Sequence, residues 1–309
     1  MKLRAAYREN ARIEAFKLRH RCGVERPDHL QVERVAARLG IRLLYLPLNG
    51  ATAQLLVRPG RVSIVVSDRI TDPAERRFAI AHELGHYVLR HPAPPAAELC
   101  EPRPRDPFAH GYAGPDDVAR DIEEEADIFA MELLMPGEIV RNFCDRRPMT
   151  LDVPAQIAQI CGVSLVASAV RVTERTYRVC AAVLRQHGRV RWTSPSTRFL
   201  HRFGMVLPAG YEVDRRSVAS QFFDRGRLPE EPLRVPISTW VDAPEELHFE
   251  EHATSTGTSG EVISMLWLAD DVPRSAIAHF SSLAAASDGR RSLQLCRETS
   301  TARSPLGGA

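Results

Sequence analysis

The feature that most constrains this chain is a pentapeptide, His-Glu-Leu-Gly-His, at residues 82–86. It lies in a segment that Asp72 can open as an N-cap, with Pro73 in the first turn, and the next proline is Pro92. This pattern predicts one helix over Pro73–His91. Residues four apart share a helix face, so both histidines can offer an imidazole nitrogen to one Zn²⁺.

The glutamate inside the pentapeptide indicates chemistry in addition to metal binding. Glu83 lies beside the two histidines, and we expect it to take a proton from an activated water molecule as a general base. This is the signature of zincin metalloproteases. A purely structural zinc site has no need of a base at this position. His82 and His86 are therefore predicted zinc ligands, and a third ligand must come from elsewhere in the chain.

A second helix, predicted over Asp116–Met135, carries the acidic run Glu-Glu-Glu-Ala-Asp. Glu123 and Asp127, its first and last members, are four apart and hence on one face. A catalytic site with two histidines and a glutamate needs one carboxylate on zinc and another that accepts the N–H of a ligating histidine. We assign these roles to Glu123 and Asp127, and we interpret Glu124 and Glu125 as a solvated acidic face.

Two further histidines compete with Glu123 as the third ligand. His91 is five residues past His86 and is predicted to point away from the shared face. His110 lies in an irregular segment, and its spacing does not exclude it. The metzincin pattern is excluded, because it requires a glycine where this chain has Leu89 and a histidine where it has Pro92.

The elements before the pentapeptide predict a small α+β unit. A charged helix over Arg8–Arg21 and a second helix capped by Asp28 come first, followed by a strand over Ile41–Leu48. Two apolar runs then flank Pro59-Gly60, which is typical of a hairpin. One edge of this sheet could receive an extended peptide as an added strand; the alternative is a plain structural edge.

These motifs together resemble the ImmA/IrrE family of zinc metallo-endopeptidases. The resemblance covers about residues 8 to 175. It rests on the pentapeptide, on the hairpin and the Arg-Arg-Phe-Ala-Ile-Ala run before it, and on Glu-Glu-Glu-Ala-Asp-Ile-Phe-Ala-Met-Glu-Leu-Leu-Met-Pro at residues 123–136.

The resemblance implies a set of roles and a biological function. It implies that His82, His86 and Glu123 bind zinc, that Glu83 is the general base, and that Asp127 supports a ligand. It also implies that the protein cleaves a helix-turn-helix transcriptional repressor and thereby releases the genes that this repressor controls.

Between the two motif helices, residues 92–115 form a long, proline-rich connection. Connections of this length are usually functional or mobile, so we predict either a lid over the cleft or a disordered insertion. His110 and Tyr112 in this segment are candidates for contacts with the substrate or with the oxyanion.

Residues 153–173 have the outline of a helix-turn-helix. Gln156–Ser164 resembles its first helix and turn, but the following helix, Leu165–Val172, offers mostly apolar side chains where base-reading residues are expected. Ser168 also replaces a residue that such motifs usually bury. We therefore favour packing against the peptidase domain, with DNA binding as the alternative.

The predicted domain organisation has four parts. Residues 1–148 form the zincin-like peptidase domain, 149–176 the helix-turn-helix-like segment, 177–286 a possibly sensor-like α+β domain with an antiparallel sheet, and 287–309 a flexible tail. The strands of the third part are predicted at Val179–Leu184, Arg189–Thr193, Val235–Val241, Leu247–Thr254 and Glu261–Ala269, with a helix over Ser217–Phe223.

Composition limits the remaining function classes. The chain has 41 basic and 39 acidic residues, a net charge of +2, so its overall charge gives no argument for nucleic acid or a membrane surface. Its six cysteines include no Cys-x-x-Cys pair, and no apolar stretch is long enough to span a bilayer. With no apolar signal core near the first residue, these features predict a cytoplasmic protein with free thiols.

Three hypotheses follow. The first is a zinc endopeptidase, and the second is a DNA-binding transcription regulator whose metal serves structure or sensing. The third is an accessory protein that acts only by binding its repressor. The presence of Glu83 favours the first.

Overall fold

The computed structural model describes residues 2–92, 117–145, 150–204, 208–241 and 247–268. From residue 93 on, the predicted lid, with His110 and Tyr112, lies outside these ranges. The predicted tail at 287–309 does so as well.

The N-terminal part is a three-stranded sheet surrounded by helices. The strand order is β1-β3-β2, with β1 parallel and β2 antiparallel to β3, so the predicted hairpin is confirmed. The elements are α1 (Lys2–Arg21), α2 (Val32–Arg38), β1 (Ile41–Leu46), β2 (Ala53–Arg58), β3 (Arg61–Ser67), α3 (Pro73–Leu89), α4 (Asp117–Leu134) and α5 (Gly137–Asp145). The predicted cap at Asp28 was wrong: Asp28 lies in a short 3-10 helix, Pro27–His29, and α2 begins four residues later.

The helix that carries the pentapeptide begins as its sequence predicts and ends two residues early. The Asp72 side chain accepts a hydrogen bond from the backbone N–H of Ala74 at 2.9 Å, so the predicted N-cap is confirmed. At the other end Arg90 adopts the left-handed conformation, with φ 58°. Its backbone N–H still bonds to the last turn, but the chain then leaves the helix axis before His91.

Helix α4 packs against both α3 and α1. The Arg19 side chain is buried and donates a hydrogen bond of 2.8 Å to the carbonyl of Leu133, in the last turn of α4. Nearer the start of α4, Arg8 forms an ion pair with Glu124. These contacts satisfy one terminal carbonyl of α4 and join α4 to α1 at two points.

The helix-turn-helix-like segment forms α6 (Asp152–Cys161) and α7 (Leu165–Arg175), with a bend of 112° between them. Residues 168–173 of α7 are all buried, and α7 packs on the C-terminal sheet. Its Arg171 points inward, where it donates to the carbonyl of Met135 and pairs with Glu132. The Ser168 hydroxyl donates to the carbonyl of Pro154 at 2.7 Å, which explains how a polar residue is buried here. This geometry favours the packing interpretation over DNA binding.

In the part of the chain that the structure describes, no single helix is long and apolar enough to cross a membrane. Helices α6 and α7 pass that test by length and composition only as a bent pair.

The C-terminal part is a five-stranded antiparallel sheet in the order β5-β4-β8-β7-β6, so the chain is an α+β protein as predicted. One face of this sheet continues the core of the N-terminal part through α7. The helices α8 (Thr197–Phe203) and α9 (Val218–Arg225) cover the other face. The elements are β4 (Cys180–Gln186), β5 (Arg189–Pro195), α8 (Thr197–Phe203), α9 (Val218–Arg225), β6 (Leu233–Pro236), β7 (His248–Ser255) and β8 (Glu261–Leu268). The strand predicted over Val235–Val241 was wrong after its second residue: the strand ends at Pro236, which has no N–H for the ladder, and a 3-10 helix follows.

Candidate metal centre

The two motif helices cross at a glycine. A Cβ atom on Gly85 would lie 3.1 Å from the ring of Phe129 and 3.2 Å from both the Cα and the carbonyl oxygen of Ala126. The backbones of α3 and α4 therefore approach more closely than an alanine at this position would comfortably allow. This close approach places the acidic residues of α4 beside the histidines of α3.

At this crossing, possible metal ligands converge from both helices. One ligand atom each from His82, His86 and Glu123 lies within 4.8 Å of the other two. The Nε2 atom of His82 is 2.9 Å from Nε2 of His86, and the two Glu123 oxygens lie 3.3 Å and 3.4 Å from these nitrogens. Two imidazole nitrogens and a carboxylate at these separations fit a divalent metal such as zinc, whose ligand bonds are about 2.0–2.2 Å long.

The site is buried on one side and open on the other. The His82 side chain is 1% exposed, whereas that of Glu123 is 52% exposed. A catalytic metal site needs such an opening, because a fourth position must remain available to water or substrate.

Asp127 orients the first histidine. Its carboxylate lies 2.7 Å from Nδ1 of His82, so Nδ1 carries a proton and donates it, and Nε2 faces Glu123 and His86, where it offers a lone pair once the second ring proton has left. Burial lowers the pKa of His82, but the hydrogen bonds with Asp127 and Glu123 and the nearby negative charges outweigh burial and raise this pKa to about 9. In the metal-free protein, a proton therefore occupies the cluster where a cation would bind.

The glutamate of the pentapeptide is also buried. Glu83 is 5% exposed, and its charge contributes to the raised pKa of His82. A buried carboxylate beside two histidines is what the predicted general base requires. Its catalytic role stays a prediction.

The structure corrects two interpretations of the sequence next to this cluster. His91 does not point away from the site: its Nδ1 atom lies 3.1 Å from Nδ1 of His86. Glu125 does not belong to a solvated face, because its side chain is 14% exposed and lies 3.3 Å from Nε2 of His91. Spacing on an unbroken helix could not show these contacts, because they depend on the left-handed Arg90. His110, the other rival ligand, lies outside the described residues.

Comparison with known proteins shows a family similarity over the part of the chain that contains this site. Residues 36–173 match the family model of Peptidase_M78, described as the IrrE N-terminal-like domain. No match was found among curated proteins. A solved structure, described as a Mycobacterium tuberculosis transcriptional regulator, is 13% identical, with a TM-score of 0.50 over 84% of this chain and 76% of that one. At this identity the likeness shows the fold alone. The family match confirms the resemblance predicted from the sequence: residues 36–173 are similar to the IrrE N-terminal-like domain of peptidase M78.

Proposed function

We propose that this chain is a cytoplasmic, zinc-dependent endopeptidase that cleaves a helix-turn-helix transcriptional repressor. The observation that carries the proposal is the convergence of His82, His86 and Glu123 next to the buried Glu83. The peptidase M78 match at residues 36–173 supports a peptidase.

The donor set favours zinc over other metals. Two neutral imidazoles and one carboxylate suit Zn²⁺, whereas Mg²⁺ and Ca²⁺ prefer sites made only of oxygen atoms. In this proposal His82, His86 and Glu123 hold the ion, and Asp127 keeps His82 in the tautomer that can bind it.

The chain's own residues then move the proton. When bound, zinc would polarise the scissile carbonyl and lower the pKa of a water molecule to about 7. Glu83 takes a proton from the attacking water as the C–O bond forms. It then donates that proton to the leaving nitrogen as the C–N bond breaks, which yields a carboxylic acid and an amine; transfer of the acid's proton to the amine then gives a carboxylate and an ammonium group.

The N-terminal sheet offers a place for the substrate backbone. Strand β2 lies at one edge of this sheet and contacts α3, the helix of the pentapeptide. An extended segment of the repressor could pair with the edge of β2 that no described strand occupies, and thereby lie beside the metal centre. Strand pairing of this kind uses backbone groups and is largely independent of side chains. Other contacts, made by the repressor's side chains, would therefore determine where the repressor is cleaved.

The rival hypotheses have less support. DNA binding through residues 153–173 would require α7 in the major groove, but residues 168–173 are buried. An accessory protein that only binds its repressor would not need a buried Glu83.

The test compares the wild type with Glu83→Gln and with Glu75→Gln, a control on an exposed residue of the same helix. Each purified protein is incubated with zinc and with candidate helix-turn-helix repressors from the same organism, and new N-termini are identified by mass spectrometry. Wild type and Glu75→Gln should produce the same fragments. Glu83→Gln should bind zinc but produce none, because an amide cannot accept the water's proton.

Other outcomes would identify a rival. Loss of repressor activity with every variant and no fragments would indicate the binding-only accessory protein. A salt-dependent shift of operator DNA by this chain, with an intact repressor, would indicate the transcription regulator.

A further inference from the structure

The second histidine of the pentapeptide, His86, is contacted by a further pair of polar side chains. His91 lies with Nδ1 at 3.1 Å from Nδ1 of His86, and with Nε2 at 3.3 Å from a carboxylate oxygen of Glu125. The imidazole rings of His86 and His91 meet edge to face, with centroids 5.0 Å apart. The His91 and Glu125 side chains are 7% and 14% exposed, so water competes little for these contacts.

The backbone is shaped to make this contact. Arg90 takes a left-handed conformation that non-glycine residues rarely adopt, with φ 58°. The backbone N–H of His91 then bonds to the carbonyl of His86 at 3.0 Å and fixes the turn. As a result the His91 ring returns to His86, which it could not do from a continued helix.

Only one assignment of the ring protons of His86 and His91 leaves His86 able to bind a metal. Nε2 of His86 faces His82 and Glu123, so it must keep its lone pair and Nδ1 must carry the proton. Nδ1 of His91 then accepts from Nδ1 of His86. Nε2 of His91 carries the remaining proton and donates it to the carboxylate of Glu125.

We infer that His91 and Glu125 are positioning residues of the metal centre: a relay from Glu125 through His91 holds His86 in its metal-binding tautomer and orientation. This inference rests on the proposed function, since it assumes a metal between His82, His86 and Glu123. The relay matches the direct contact between Asp127 and Nδ1 of His82, at 2.7 Å. Each metal-binding histidine is thus held by a carboxylate of α4, one directly and the other through an intervening imidazole.

The relay is tested by zinc affinity rather than by activity. Metal-free wild type, His91→Ala and Glu125→Ala are titrated with zinc in competition with a chromophoric chelator. Both variants should bind zinc about 10- to 100-fold more weakly, as expected when the partner of a ligating histidine is lost. Glu125→Gln keeps an acceptor oxygen for His91 and should lose less than Glu125→Ala. Glu124→Gln, whose residue contacts Arg8 and not the relay, is the matched control and should bind zinc as the wild type does.

A spectroscopic readout separates positioning from a structural role. In zinc-loaded, ¹⁵N-histidine-labelled protein, the Nδ1–H signal of His86 should be protected from solvent exchange. In His91→Ala this protection should be lost, while that of the His82 Nδ1–H remains. A residue that only stabilised the end of α3 would lower the melting temperature without changing either signal.

The outcomes distinguish the relay from the function on which it rests. If His91→Ala and Glu125→Ala fold and bind zinc as tightly as the wild type, the relay is overturned and the peptidase proposal stands. If His91→Ala does not fold, Glu125→Ala still decides, because it leaves the turn at Arg90 and His91 intact. If the wild type takes up no zinc, the proposed function is overturned, and the relay with it.

Discussion

Two buried polar clusters in this molecule are built in opposite ways. In the C-terminal part, Glu251 is completely buried and both of its oxygens accept hydrogen bonds from the protein itself. In the metal centre, the nitrogen and oxygen atoms that can bind a metal face one another. The first cluster is closed by the chain, and the second has the geometry of a site that a cation completes.

The Glu251 cluster shows what a closed site looks like. Its carboxylate lies at the N-terminus of α9, where backbone N–H groups are without helical partners. Burial raises the pKa of Glu251, whereas the hydrogen bonds that its carboxylate accepts oppose that effect. The donors are Ser217 Oγ at 2.9 Å, Val218 N at 3.0 Å, and Ala219 N, Trp240 Nε1 and Ser264 Oγ, each at 3.1 Å.

The difference shows how to tell a structural cluster from a functional one. A buried carboxylate whose oxygens accept hydrogen bonds from the protein stabilises the fold, and its oxygens are not available to bind a ligand. Lone pairs that converge from His82, His86 and Glu123 repel one another unless a proton or a metal ion lies between them. The family match independently supports a metallopeptidase at the second cluster.

The largest expected effect is on metal content. Removal of His82 or Glu123 should leave two ligands and abolish zinc binding, so His82→Ala and Glu123→Ala should contain no zinc while the wild type contains one ion per chain. His110→Ala is the comparison that tests the rival ligand. Elemental analysis of dialysed proteins measures the result. Zinc lost in His110→Ala and kept in Glu123→Ala would mean that the connection, and not α4, completes the site.

The second effect is on stability and concerns only the closed cluster. Glu251→Gln replaces an acceptor oxygen with an NH₂ group that faces donors, so it should lower the free energy of unfolding by about 3 kcal/mol. Ser264→Ala removes a single donor and should cost about 1 kcal/mol. Urea denaturation measures both. Zinc affinity of the folded variants should not change; a parallel loss of zinc would contradict the separation of the two clusters.

The third effect is on the support of His82. Asp127→Ala should weaken zinc binding about 10- to 100-fold without abolishing it, because the ligands remain but His82 is no longer held in one tautomer. Competition with a chelator measures the affinity. If Asp127→Ala lost zinc as completely as Glu123→Ala does, Asp127 would be a ligand rather than a support.

The fourth effect is a pH dependence of the metal centre between pH 6.5 and about 9, which follows from the raised pKa of His82. The pKa rises from 6.5 to about 9 on folding, so protonated His82 stabilises the metal-free protein fully below pH 6.5. This stabilisation is lost as the pH rises to about 9. Zinc must displace this proton, so its affinity should rise by up to about tenfold per pH unit over the same window.

Urea denaturation and zinc titration at a series of pH values measure both parts of this prediction. Metal-free His82→Ala is the control and should lack the decline in stability. A zinc affinity that does not depend on pH in this window would mean that His82 is already neutral in the metal-free protein.

Sequence predicted the two motif helices well and their surroundings less well. Asp72 as a cap and the four-residue spacing of ligands are local patterns, and α3 and α4 follow from them. The end of α3 was not visible, because Arg90 is not a residue that usually adopts the left-handed conformation. The contacts of His91 and Glu125 depend on that turn, so they were misread.

Other errors lie in the C-terminal part and passed over local signals. The strand predicted through Val241 ends at Pro236, which cannot donate to a strand ladder. Helix α8 was not predicted at all, although Ser196 is a favoured N-cap residue and accepts a hydrogen bond from Phe199 N.

The smallest effect tests the crossing of α3 and α4, which brings the residues of the metal centre together. Gly85→Ala should gain up to about 1 kcal/mol of helix propensity, but its Cβ would meet the Ala126 backbone at 3.2 Å and press α4 away by a few tenths of an ångström. Zinc affinity should therefore fall a few-fold while the melting temperature changes little. Gly85→Val, with a larger side chain, should lower both the zinc affinity and the melting temperature further. Because the cause is a backbone contact, the loss of zinc affinity must grow with side-chain volume; equal affinity in all three proteins would show that α3 and α4 need not approach this closely to bind the metal.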